Sequence, residues 1–260
     1  MDFVYFCKME SYFKTGSLYF VKMRTIYIVP LLTAIIMTSC HNAKTIPSVT
    51  MSDVREGSPE APLANIDDFF VIQEIPDSIF AIMQGKSFKE DCVVPREDLR
   101  YLKMLHKNID GETLRGEMVV NKAIAEDVLD IFRQLYEASY PIERIRLVDC
   151  YNAEDELSMR DNNSSSFNFR FISHTTRVSR HGLGLAVDIN PYYNPYHKIL
   201  ADGSVSLEPA GTEAYLDRSA SFPYKIEKGD LCWRLFTERG FEWGGEWTSC
   251  KDWQHFEIPE

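Results

Sequence analysis

The stretch Ser179-Arg180-His181-Gly182-Leu183-Gly184-Leu185-Ala186-Val187-Asp188 is the part of the chain on which the fold assignment turns. His181 offers an imidazole nitrogen and Asp188 a carboxylate oxygen, both suited to a borderline cation such as zinc. Gly182 and Gly184 permit a sharp turn between them, so the two side chains can return to one point. Residues 185–189 read as a short strand, in which Ala186 keeps the pleat face beside Asp188 small. Taken alone, a histidine and an aspartate seven residues apart are weak evidence, since a histidine near glycines is more often an ordinary surface or core residue.

Working outward, a second cluster lies at the C-terminus, Trp243-Gly-Gly-Glu-Trp-Thr-Ser-Cys-Lys-Asp-Trp-Gln-His-Phe-Glu257. His255 is a third possible ligand, and Asp252 lies three residues earlier. Hydrolysis at a metal needs a carboxylate that takes a proton and is not itself consumed as a ligand. The same segment also reads as an aromatic core of Trp243, Trp247, Trp253 and Phe256 with His255 hydrogen-bonded inside it. A third cluster, Asp161-Asn-Asn-Ser-Ser-Ser-Phe-Asn-Phe-Arg170, ends in a guanidinium that can hold an oxygen as charge develops on it. Cys250, two residues before Asp252, reads as structural.

Taken together, the motifs become specific. Ser-x-His-x-x-Gly-x-Ala-x-Asp at Ser179, His181, Gly184, Ala186 and Asp188 resembles the zinc D-alanyl-D-alanine carboxypeptidases. That family includes vancomycin-resistance D,D-carboxypeptidases and L-alanyl-D-glutamate endopeptidases. Trp-Gly-Gly followed by Asp-x-x-His-Phe-Glu is similar to the endopeptidase-like branch, and Asn168-x-Arg170 precedes the first motif as in the family. The resemblance covers residues 115–260. It implies zinc held by His181, Asp188 and His255, Asp252 as general base, and Arg170 stabilising the oxyanion or positioning substrate, with Ser179 behind the ligands. It implies an α+β fold, a small antiparallel sheet flanked by helices in a single zinc-peptidase domain of the hedgehog and D-Ala-D-Ala-peptidase type. The implied substrates are peptidoglycan stem peptides, cut at D-Ala-D-Ala or at L-Ala-D-Glu. The segment Ile189-Asn-Pro-Tyr-Tyr-Asn-Pro-Tyr196 and an insertion-like stretch to Pro223 depart from the pattern and are expected to shape the groove.

The rest of the chain agrees with one globular domain. Its 260 residues are 45% hydrophobic, and its net charge of −11 without a basic patch argues against nucleic acid as a partner. Residues 122–137 carry Ile124, Val128, Ile131, Phe132 and Leu135 at helical spacing, with Asn121 as N-cap. Residues 144–149 and 255–258 read as strands, 152–166 as a long loop, and 229–239 as a helix stopped by Gly240 at C′. His106 is placed in a charged helical stretch, His197 in the Tyr/Pro loop and His41 in the tether, while His174 is close enough to the first motif to touch substrate.

The N-terminus reads as an export signal. Lys22 and Arg24 precede an apolar run from Ile26 to Met37, too short to span a bilayer, and Cys40 after Met-Thr-Ser resembles a lipobox. Met23 is the expected start, with residues 1–22 an over-extended gene start. The expectation is a signal over 1–40, a flexible tether over 41–75 and a peptidase domain over 76–260. The whole is expected to be a monomeric lipoprotein anchored through Cys40 in the bacterial cell envelope, facing the periplasm. Cys92, Cys150, Cys232 and Cys250 are compatible with two disulfides or with four buried thiols. Two other functions fit parts of the pattern. A zinc-stabilised, non-catalytic cell-wall binding module would need neither Asp252 nor Arg170. A non-haem iron oxygenase would use two His and one carboxylate, but fits the interval and the adjacent base poorly.

Overall fold

Helix α2, Ala125–Glu137, turns Val128, Leu129, Ile131, Phe132 and Leu135 inward at the spacing the sequence predicts. The computed structural model describes residues 65–172 and 175–260. The export signal, Cys40, the tether over 41–64, His41 and His174 lie outside the described residues. The face buried by α2 is a long hairpin of β2, Leu99–Lys107, and β3, Thr113–Asn121, paired in register from Leu99↔Asn121 to Lys107↔Thr113. Leu102, Met104, Met118 and Val120 belong to one buried cluster with the inward residues of α2, while Leu99, Tyr101 and Val119 belong to a second with Ile75, Met83, Phe167 and Phe169. A sheet buried on both faces explains why apolar residues fall at adjacent positions, Tyr101 beside Leu102 and Val119 beside Val120, instead of in clean alternation.

Strand β1, Val71–Gln73, adds to the edge of β2 through Ile72↔Leu102, and helix α1, Asp77–Met83, follows it. The tether predicted to residue 75 therefore stops earlier, because Val71–Gln73 finds an open sheet edge for its backbone groups. Asn121 does not cap α2. It ends β3, its side chain accepts from Ala123 N, and Ile124 takes the cap position.

Three further small sheets carry the C-terminal half. Strands β4, Arg144–Ile145, and β5, Asn163–Ser164, pair in parallel. The expected strand over 144–149 is shorter and passes into a 3-10 turn at Val148–Tyr151. The expected loop over 152–166 contains helix α3, Asp155–Arg160, and β5. Strand β6, Ala186–Asp188, pairs with β11, His255–Glu257, which also pairs with β9, Glu242–Trp243. The stretch that departs from the family pattern forms a hairpin of β7, Tyr196–Ile199, and β8, Val205–Glu208, which extends β10, Lys251–Asp252. Arg218 knits this region by donating to the Tyr193 and Ile226 carbonyls and to Asn194 Oδ1. The fold is thus α+β with several small antiparallel sheets and not one.

Helix α4, Leu231–Thr237, begins with the Asp230 carboxylate accepting from Trp233 N. It ends in a Schellman arrangement: Gly240, at φ +83°, donates to Thr237 O, and Phe241 donates to Phe236 O. His106 lies in β2, buried, with Nδ1 donating to Ile142 O at 2.8 Å, and not in a helix. His197 lies in β7, stacked on Trp253. Cys92, Cys232 and Cys250 are thiols, so the two-disulfide alternative is not formed.

Candidate metal centre

His181 opens a single 3-10 turn, His181–Leu183, that Ser179 holds from outside by accepting Gly182 N at 3.0 Å. The turn reverses at Gly184, where φ is +68° and an added Cβ would lie 2.7 Å from Asn121 N. A glycine is required there twice over, by backbone sign and by space. Gly184 O in turn accepts from Asn121 N, which ties the turn to the end of β3. Gly182 is equally confined, since a Cβ would meet the Arg170 carbonyl oxygen at 2.9 Å.

The chain leaves this turn as β6, and the β6–β11 register sets Asp188 directly opposite His255. The three side chains converge. His255 Nδ1 lies 3.0 Å from Asp188 Oδ1 and 3.1 Å from His181 Nε2, while His181 Nε2 lies 3.2 Å from Asp188 Oδ2. One ligand atom from each residue falls within 4.8 Å of the others. His181 donates through Nδ1 to the Ser166 carbonyl at 2.8 Å, and His255 meets Glu257 through Nε2 at 3.0 Å. These outer partners fix both rings so that Nε2 of one and Nδ1 of the other face inward.

The donor set fits a divalent cation. With His181 Nδ1 carrying the proton, its Nε2 lone pair faces a carboxylate oxygen, an arrangement that is repulsive until positive charge sits between them. The electrostatics point the same way. Burial alone would raise the Asp188 carboxyl, yet positive charge placed on the His181 and His255 rings holds it well below the usual carboxylate range. Burial disfavours a charged His255, but Asp188 and Glu257 push it up to about 10. Two nitrogens and a carboxylate with these outer partners match a zinc site.

Asp252 stands beside the triad on a different sheet. Burial pushes its carboxyl up to about 7, with Asp188 and Glu208 adding repulsion, and its Oδ1 is buried without a hydrogen-bond partner among the described residues. The Trp-Gly-Gly motif builds its seat. A Cβ on Gly244 would lie 2.6 Å from the Asp252 carbonyl oxygen, and one on Gly245 would strike the Trp243 ring at 2.4 Å. Trp243 donates from Nε1 to Trp253 O, closing the segment from the other side.

Arg170 runs alongside the His181 turn, with Ser179 N donating to its carbonyl and Asn168 N donating to His181 O. Its Nε pairs with Asp155 Oδ2 at 2.9 Å, and the other oxygen of Asp155 accepts from Asn168 Nδ2 at 2.7 Å. Asp155 thus aligns both polar members of the Asn-x-Arg motif, which leaves Arg170 Nη1 without a partner among the described residues. The structure therefore brings Asp252 and the three ligands predicted from sequence into one place, with Arg170 on the segment beside the His181 turn. Sequence reading missed Asp155, hidden in a stretch taken for a loop although Asp155 and Glu156 mark a helix start. It also quoted Glu257 without giving it a role, and the Ser166 carbonyl carries no side-chain signal at all.

Residues 173–258 match the family model described as D-alanyl-D-alanine carboxypeptidase, so over this stretch the chain is similar to that family, as its motifs imply. The match implies a metallopeptidase whose peptidoglycan substrate lies outside the cytoplasmic membrane. No curated protein and no solved structure gives a significant match.

Proposed function

We propose that the protein is a zinc-dependent peptidase that hydrolyses peptide bonds in peptidoglycan stems. The observation that carries this reading is the convergence of His181, Asp188 and His255 beside a buried carboxylate, Asp252, that is not one of them. A purely structural ion would need the first three and not the fourth. Zinc held by His181, Asp188 and His255 would supply a water of lowered pKa and polarise the scissile carbonyl. Asp252, destabilised as an anion by burial, accepts the water proton and returns it to the leaving amine. Arg170, aligned by Asp155, holds the carbonyl oxygen as charge grows on it. Glu257 and the Ser166 carbonyl keep the two imidazoles in the tautomers that the site needs. An export signal ending in a lipidated Cys40 and a tether would place the domain in the envelope, where stems are found.

The test is incubation of the zinc-loaded full chain, and of Asp252→Ala, with muropeptides carrying pentapeptide stems, read by mass spectrometry. Loss of one alanine from the wild type alone establishes a D,D-carboxypeptidase. Release of the stem after its first L-alanine establishes an endopeptidase. No cleavage by folded, zinc-loaded protein overturns the peptidase reading in favour of a binding module.

A further inference from the structure

The β7–β8 hairpin places a second carboxylate on the face of the base, two strands across from it. Register runs straight across the sheet, from Asp252 to Tyr196 to Glu208, so the three side chains share one face. The end of the hairpin is pinned, since Ala210 N donates to the carboxylate of Glu156 on α3, next to Asp155. Glu208 therefore sits between the base strand and the helix that aligns Arg170, within electrostatic range of Arg170, Asp155, Glu156 and Asp252. Among the described residues it makes no ion pair, and it is exposed. Asp252, Asp155, Glu156 and Glu208 thus set four carboxylates on the flank that carries the Arg170 guanidinium, with Glu156 paired to Arg160 at 2.7 Å. Of Arg177 and Arg180, the cations that could receive a free terminal carboxylate, Arg177 faces Glu260 at 3.9 Å, while Arg180 lies within electrostatic range of Glu257 and keeps Nη2 unpartnered among the described residues.

We propose that Glu208 is a specificity residue that selects, on the hairpin side of the site, a substrate segment bearing a primary ammonium group over a neutral or anionic one. The inference rests on the peptidase reading and narrows its substrate class. Such a segment is the side chain of a diamino acid within a stem, and it favours scission near that residue over removal of a terminal residue that presents only a carboxylate.

The test compares two stem peptides that differ in one group, a lysine side chain left free or acetylated, with zinc-loaded full-length wild type, Glu208→Gln and Glu208→Lys. The expected kcat/KM ratio, free over acetylated, is roughly three- to fivefold in wild type, the range of an exposed ion pair. It falls to about one in Glu208→Gln and below one in Glu208→Lys. Thermal melting and zinc content confirm that the variants are folded. A ratio in Glu208→Gln equal to that of wild type overturns the inference. If wild type cleaves neither peptide, the peptidase reading fails instead. The affinity ratio of the same two peptides by calorimetry then decides on Glu208 by the same criterion.

Discussion

Replacing Gly244 by alanine tests the claim that the Trp-Gly-Gly motif exists to seat Asp252. The backbone of Gly244 is in an ordinary conformation, so the substitution introduces one methyl group and no φ penalty. That methyl would lie 2.6 Å from the Asp252 carbonyl oxygen and 2.7 Å from its Cβ, where ordinary contact begins near 3.4 Å. Both atoms move only with the strand, so β10 has to retreat by about 0.8 Å. A misplacement of about 1 Å in a catalytic group costs on the order of 100-fold in rate, and overpacking of this size costs about 1–3 kcal/mol in stability. His181, Asp188 and His255 sit on other elements and keep their places. The expected outcome is near-stoichiometric zinc by metal analysis together with kcat/KM on a stem peptide reduced about 100-fold. Wild-type activity would refute the reasoning, and so would loss of zinc in parallel with loss of rate.

Four further outcomes follow from the same geometry. Asp155→Ala removes the carboxylate that Arg170 Nε and Asn168 Nδ2 share, and should lower kcat/KM about tenfold with zinc content unchanged. Glu257→Gln removes the carboxylate behind His255, and should weaken zinc affinity about 10- to 100-fold in competition with a chelator. Gly184→Ala meets both a left-handed backbone and the Asn121 amide, and should cost about 2–5 kcal/mol in urea denaturation. His106 is held neutral by burial, with its pKa below the ordinary 6.5. The unfolded chain then binds a proton first as pH falls, so this histidine contributes stability above pH 6.5 that is lost progressively below it. His106→Asn keeps a donor near Nδ1 and should flatten that decline in thermal melts between pH 7.5 and 5.

The parts of the fold that sequence makes legible are those in which one pattern meets one partner. Helix α2 buries a single stripe, and its periodicity gives it away; Gly240 closes α4 because a left-handed residue there satisfies two carbonyls. The metal ligands are legible because their spacing is local to two motifs. The hairpin of β2 and β3 is less so, since burial on both faces erases the alternation that marks a strand, and His106 accordingly reads as helical. Asp155 reaches Arg170 through tertiary packing, and a carboxylate in a polar stretch carries no sign of its partner. Edge pairing of Val71–Gln73 with β2 is likewise decided by a distant strand and not by the polar, turn-rich residues before it.

The ligands and the base belong to different sheets, with Trp253 and Gln254 linking β10 to β11. Holding and acting are therefore separable duties. The β6–β11–β9 sheet can stay fixed around its ion while the β10–β7–β8 sheet is altered in length, charge or tilt. A hairpin grafted onto β10 changes what approaches the base without disturbing the ligand geometry. In such an arrangement new substrate preferences can arise by exchanging one peripheral ribbon, with the costly part of the site left as it was.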